Sequence, residues 1–230
     1  MQVLHMEQGT AEWHEARRCK VSGTKLEDIM GTPYAKIQLI ARFIAEEATE
    51  QVPVNKQTPE MERGLGEEAF AIKLFEKQTG KKVEQVGLCI SDEMPFNVLS
   101  PDGLIENNGK YTEAVEVKSP MSQTAIFYQM CNAISAAELG LTPAKRPFLG
   151  VPADYKWQVV NYFLVNPDLE RLYFLVYDVR FIDDKLKLFT VVVERRNELL
   201  QEAVQQAREA LQSFHAEWQK YKEIILPTNF

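Results

Sequence analysis

The sequence predicts an α/β fold in one domain spanning residues 1–230, and three observations predict it. Residues 113–118, Glu-Ala-Val-Glu-Val-Lys, alternate polar and apolar side chains with the period of a strand. Residues 35–50, 59–79 and 197–225 space their apolar side chains by three and four, the period of a helix packed on one face. The two patterns are interleaved along the chain rather than segregated into halves.

Bulk properties bound the function. At 230 residues, with 45% apolar and 26% charged, the chain can bury a full core. No run approaches the ~18 apolar residues of a membrane span. The N-terminus carries no basic segment followed by an apolar one, so no secretory signal is expected. Cys19, Cys89 and Cys131 are odd in number and scattered, which argues against a disulfide framework or a cysteine zinc site and fits a reducing compartment, the cytoplasm. A net charge of −7 disfavours bulk coating of nucleic acid, while leaving room for a local basic channel on an acidic body.

In chain order, Thr10 caps a short helix carrying Trp13, His14, Arg17 and Arg18. Residues 21–24 then break it, and Ser22 or Thr24 caps a second helix to Met30. Arg17, these hydroxyls and a free helix N-terminus would make a phosphate cradle; the same residues also read as a surface arginine beside an ordinary cap. Ile37, Ile40, Ala41, Ile44 and Ala48 stripe the third helix, and a polar loop follows to Thr58. Thr58 and Pro59 open a fourth helix that stops at Gly80, with Phe70, Leu74 and Phe75 expected inward. Gly64 and Gly66 each cost about 1 kcal/mol within it, so a bend or a close backbone approach is expected there. Glu67 or Glu68 can aim at a site.

Residues 82–100 read as two strands turning at Asp92–Pro95. Residues 100–120 then form a hairpin with its tip at Asn107-Asn108-Gly109. Glu116 and Lys118 share one strand face, with Asp102 at the neighbouring strand end. Two acids and a lysine so placed suit a hard divalent cation beside a positive charge; a half-exposed strand pairing Glu116 with Lys118 gives the same pattern. A helix over 122–139 and a proline-marked loop over 140–153, with Lys145 and Arg146, lead to a helix capped by Asp154. Gln158 stands there among apolar neighbours, as a site residue or as a solvent-facing one. A hairpin through Asp183-Asp184 precedes the last helix, striped by Leu200, Val204, Ala207, Leu211, Phe214 and Trp218. His5, His14 and His215 have no ligand spacing.

This order of parts resembles the lambda-exonuclease branch, the YqaJ-type viral recombinases, of the PD-(D/E)xK nucleases. The resemblance rests on Trp13-His14 with Arg17, Gly64 with Glu68, Ser100-Pro101-Asp102-Gly103-Leu104, Glu116-Val117-Lys118 and Gln158, and runs from about Glu7 to Ile225. It implies a restriction-endonuclease-like core with a central mixed β-sheet flanked by helices. It also implies a Mg²⁺-dependent exonuclease that degrades one strand of double-stranded DNA in the 5′→3′ direction, leaving a 3′ overhang for recombination.

The roles follow by resemblance. Asp102 would bridge two Mg²⁺ ions, which Mn²⁺ can replace; Glu116 and the Val117 carbonyl would complete the protein ligands; Lys118 would orient and activate the attacking water. Glu68 and Gln158 would support them. Arg17, Thr24 and Ser100, with Trp13 beside them, would bind the 5′-phosphate, and Met61 would be an apolar wedge at the terminal base pairs. Implied partners are double-stranded DNA ends, further copies in a homotrimeric ring and a single-strand annealing protein, with no membrane; the implied setting is the cytoplasm of a bacterial host or phage-infected cell. Arg63 replaces an expected aromatic residue, and the 140–153 loop has no counterpart. Other readings are a RecB-like or iron–sulfur nuclease, the latter needing four cysteines, and a catalytically silent DNA-end-binding module, which has no need of Asp102, Glu116 and Lys118 together.

Overall fold

The computed structural model describes residues 1–52, 58–122, 124–134 and 148–226, with the side chains of 60, 61, 128, 129 and 132–134 outside that description. Two sheets organise it. Strands β1 (Gln2–Leu4), β2 (Leu88–Ile90) and β3 (Val98–Leu99) form a small antiparallel sheet. The larger sheet runs β4 (Gly103–Asn107), β5 (Lys110–Lys118), β6 (Arg171–Tyr177), β7 (Leu188–Glu194). Its outer pairs are antiparallel and β5–β6 is parallel, so the sheet is mixed. The helices are α1 (Ala11–Ala16), α2 (Gly23–Met30), α3 (Pro33–Thr49), α4 (Pro59–Thr79), α5 (Ala125–Ile134), α6 (Lys156–Val165), α7 (Asp184–Lys187) and α8 (Glu198–Ile225).

The β4–β5 hairpin turns on Asn108 and Gly109, both at positive φ (54° and 79°), the requirement of a two-residue turn matched to strand twist. Alternation along β5 then fills two cores. Ala114 joins Leu104, Leu172, Phe174 and Val193 in a cluster shared with α2, α3, α6 and α8. Val115 and Val117 face the other way, onto Ala71, Ile72 and Phe75 of α4. The expected mixed sheet flanked by helices is therefore present, and Glu116 and Lys118 leave it on the α6 side. Helix α6 is buried along Val159–Val165, as a helix sandwiched between sheet and helices must be.

Several inward assignments shift. Phe70 is 60% exposed, while Ala71, Ile72 and Phe75 face the sheet; Phe70 and Phe75 lie about 140° apart around a helix and cannot share a face. Ile37 is 50% exposed because the first turn of α3, with exposed Tyr34, runs past the core; Leu39 and Phe43 are buried instead. In α8, Ala203 is buried where Val204 is only partly so. Among the described residues a Cβ on Gly64 or Gly66 would meet nothing within 4 Å, so none of them makes a close approach to the backbone there. Tyr155, after a 3₁₀ turn at Ala153–Tyr155, is the N-cap of α6 in place of Asp154. Lys145, Arg146 and the 135–139 end of the predicted fifth helix lie outside the described residues.

Candidate functional site

The Pro-Asp-Gly turn ends one ladder and begins the site. Gly103 opens β4 opposite Val115, and a Cβ there would stand 2.1 Å from Val83 Cγ1, so glycine is required. Continuing the ladder would place Pro101 opposite Val117. Instead Gln8 Nε2 donates to the Pro101 carbonyl at 3.0 Å, and Asp102 Oδ2 accepts the Val117 N–H at 2.6 Å. The Asp102 carboxylate thus caps the end of β5 beside Glu116 and Lys118.

Glu116 is the centre of the cluster, only 1% exposed. Its Oε1 accepts from Gln158 Nε2 at 2.5 Å and pairs with the Lys118 ammonium; its Oε2 accepts from the Tyr162 hydroxyl at 2.5 Å. Gln158 therefore faces the site, not solvent. Lys118 Nζ also lies 5.1 Å from the Tyr155 ring centroid. Glu68, on α4, accepts from Gln85 Nε2 at 3.0 Å. Glu67 turns away and pairs with Arg63.

The electrostatics are those of crowded carboxylates. Burial pushes the Asp102 carboxyl well above its ordinary range, and Glu116 and Glu68 add to it against Lys118 and the Val117 N–H. Burial raises Glu68 too; the Gln85 bond opposes this and Glu116 reinforces it. Burial works against the charge on Lys118, but Glu116 and Asp102 outweigh it, so its pKa is raised and it stays an ammonium at neutral pH. Tyr162 is likewise held as a donor, its pKa raised by burial and by Glu116.

The residues expected to cradle a phosphate lie next to this cluster. Thr10 Oγ1 caps α1 by accepting from Trp13 N at 3.3 Å, and Trp13 Nε1 donates to the Gly87 carbonyl at 2.9 Å. The Trp13 ring then supports Arg17, whose Cζ stands 3.9 Å from its centroid. Among the described residues the Arg17 side chain has no carboxylate partner, and burial, with Arg42 nearby, lowers its pKa to about 10. Ser22 is the N-cap of α2 without a side-chain cap bond, its hydroxyl 3.2 Å from that of Thr24. Ser100 Oγ is buried and has no hydrogen-bond partner among the described residues. Gly23 packs on Gln158, where a Cβ would meet Gln158 Cα at 3.0 Å, so the start of α2 and the carboxylate cluster touch through α6. Met61 lies on α4 and its side chain is outside the described residues.

Sequence reasoning missed Tyr162 and Tyr155. The signal for Tyr162 was present: it follows Gln158 by four residues, one helical turn on the same face. Lys25, also missed, lies near Arg17 and Arg42, donates to the Lys20 carbonyl at 2.8 Å and stands 4.7 Å from the Phe43 ring centroid.

Among the described residues no three His, Cys, Asp or Glu side chains already converge as a metal cluster. The donor set nevertheless fits Mg²⁺, which needs only one or two protein carboxylates, its other positions going to water and phosphate oxygens. Asp102 and Glu116 are hard oxygen donors on adjoining strand ends, and a bound divalent cation would offset both the burial and the repulsion from Glu116 that raise Asp102.

A family model described as a YqaJ-like viral recombinase domain matches residues 12–166. Among solved structures, the chain is similar to an alkaline exonuclease from Laribacter hongkongensis, at a TM-score of 0.66 and 23% identity, covering 93% of this chain and 97% of that one. The complex of that exonuclease with dAMP gives the same values. A phage related exonuclease from Haemophilus somnus 129PT matches at a TM-score of 0.61 and 15% identity, over 89% of this chain and 96% of that one. No curated protein matches. The core is restriction-endonuclease-like, as expected. Among the described residues no helix is long and apolar enough to cross a membrane.

Proposed function

This chain belongs to the YqaJ-like viral recombinase family, and from that premise we propose that it is a Mg²⁺-dependent exonuclease. It degrades one strand of double-stranded DNA from the 5′ end. The observation that carries the reading is the convergence of Asp102, Glu116, Lys118 and Gln158 beside a cationic, hydroxyl-lined helix N-terminus.

Asp102, Glu116 and the Val117 carbonyl would hold two Mg²⁺ ions, with Mn²⁺ as a substitute. When bound, the ions supply charge neutralisation at the scissile phosphate and a more acidic water. Gln158 and Tyr162 fix both Glu116 oxygens before substrate arrives, which is preorganisation and not ground-state binding. Lys118 carries a proton, so it orients the attacking water and stabilises developing negative charge; it does not accept the proton. Glu68 holds the water from the α4 side. Arg17, Thr24, Ser22 and Ser100 bind the terminal 5′-phosphate through charge and hydroxyl donors that read no base. Water attacks the second phosphorus and the first nucleotide's O3′ leaves. The shortened strand therefore ends in a new 5′-phosphate, which suits the same cradle. Assembly as a homotrimeric ring around DNA, with the exposed 3′ strand passed to a single-strand annealing protein, completes the reading.

The deciding experiment digests a 5′-phosphorylated duplex labelled at each end of each strand, with Mg²⁺ and with chelator. Labels at 5′ ends should be released first and only with Mg²⁺. Lys118→Ala should abolish release while DNA-end binding survives; full activity in that variant would sink the mechanism.

A further inference from the structure

Among the described residues no strand holds the chain beyond Lys118: β5 ends there, opposite Val176, and Pro120 cannot donate to a ladder. Two guanidinium groups take over. Arg63 Nη2 donates to the Ser119 carbonyl at 2.7 Å, and its Nη1 reaches Glu67 Oε1 at 3.4 Å. Arg180 donates to the Met121 carbonyl at 3.0 Å and the Pro120 carbonyl at 3.3 Å. Arg180 is itself fixed by buried Asp178, at 2.8 Å through Nε and 2.7 Å through Nη2. Three consecutive carbonyls, of residues 119, 120 and 121, are thus each taken by arginine.

The two anchors differ in what they connect. Arg180 ties the segment to the end of the sheet it came from. Arg63 ties it to α4, and Glu68 follows Arg63 by five residues on that helix. One guanidinium therefore sets the separation between Glu68 and the peptide next to Lys118. It does so from a partly buried position: its side chain is 25% exposed, its Nε is buried, and little water competes for the bond. The planar fork of arginine, which can serve Ser119 and Glu67 at once, suits this role; an aromatic residue could not donate to the Ser119 carbonyl with charge.

We propose that Arg63 is a positioning residue of the nuclease site, holding Glu68 and Lys118 at their working separation through the Ser119 carbonyl; the proposal rests on the nuclease reading above. A displacement of about 1 Å at such a site lowers rates by about 100-fold.

The test is single-turnover cleavage of a 5′-phosphorylated duplex, with DNA-end affinity and thermal melting measured on the same samples. Arg63→Ala should cut the rate by about 10- to 100-fold and leave affinity within about threefold. Arg63→Lys, which keeps a charged donor for Ser119 but not the fork that also serves Glu67, should recover part of the rate. In a double-mutant cycle, Arg63→Ala on a Glu68→Ala background should add little, because both act through one separation. A wild-type rate in Arg63→Ala, a loss seen only in affinity, or independent multiplication with Glu68→Ala would overturn the proposal. If Arg63→Ala fails to fold, Arg63→Gln takes its place in the cycle. An inactive wild type refutes the nuclease reading itself; an active wild type with an indifferent Arg63 refutes only this proposal.

Discussion

The Tyr162 hydroxyl donates to Glu116 Oε2 at 2.5 Å from a fully buried position in α6, so the carboxylate at the centre of the site is held from beneath by a phenol that solvent never reaches. Removing that donor leaves a buried charge short of a partner. Tyr162→Phe should destabilise the fold by about 1–3 kcal/mol and lower the cleavage rate, because Glu116 loses one of its two fixed oxygens. Urea unfolding beside single-turnover kinetics checks both. An unchanged melt would show that Glu116 does not depend on Tyr162.

That pair marks where legibility in the sequence stops. The hairpin was readable, since Asn108-Gly109 and the Pro101-Asp102-Gly103 turn carry their own backbone chemistry. The ends of α4 were readable from Thr58, Pro59 and Gly80. What was not readable is which neighbours meet. Glu67 and Glu68 differ by about 100° around α4, and only the packing of Ala71, Ile72 and Phe75 on the sheet sends Glu68 toward Asp102. The parallel β5–β6 pairing, which fixes where α6 and its Gln158–Tyr162 face lie, joins residues more than fifty positions apart. Gln158 pointed the right way by resemblance alone.

Arg17 is charged at neutral pH even though its pKa is lowered to about 10, and it lacks a carboxylate partner among the described residues. A phosphate is the anion it can take without first breaking an ion pair. Arg17→Ala should therefore slow digestion of 5′-phosphorylated ends by about 10- to 100-fold, the equivalent of one charge-assisted hydrogen bond. Hydroxyl ends should be hardly affected. The ratio of the two rates is the measurement, and a ratio that survives the substitution would remove Arg17 from the cradle.

Lys25 makes a pH prediction. Burial, together with Arg42 and Arg17 against Glu46, lowers its pKa from 10.5 to about 8. Below that value the ammonium is charged in the folded and unfolded chain alike, and the fold bears the full strain of holding it. Between about 8 and 10.5 the unfolded chain still binds a proton that the folded one has released, so stability rises with pH across that window. The wild type should gain about 2 kcal/mol relative to Lys25→Met between pH 8 and pH 10. Urea melts of the pair at several pH values measure the gain; a difference that stays constant with pH would contradict it.

Gly23 couples the two halves of the site most directly. It is the first residue of α2, next to the hydroxyls of Ser22 and Thr24, and it lies against Gln158 of α6. A Cβ at Gly23 would come within 3.0 Å of Gln158 Cα, 3.1 Å of its Cγ and 3.4 Å of its Cβ. The first of these atoms is backbone, so α6 itself must yield. Overpacking of this kind costs about 1–3 kcal/mol, and the yielding helix carries the amide that holds Glu116 Oε1. Gly23→Ala should therefore stay folded with a lower melting temperature, bind a 5′-phosphorylated end nearly as well as the wild type, and cleave it at least about tenfold more slowly. Replacing Gln158 by alanine in the same chain removes the Cγ from the clash and should return part of the lost stability without returning activity. A Gly23→Ala protein that cleaves at the wild-type rate would show that α2 and α6 can separate without disturbing Gln158 and Glu116.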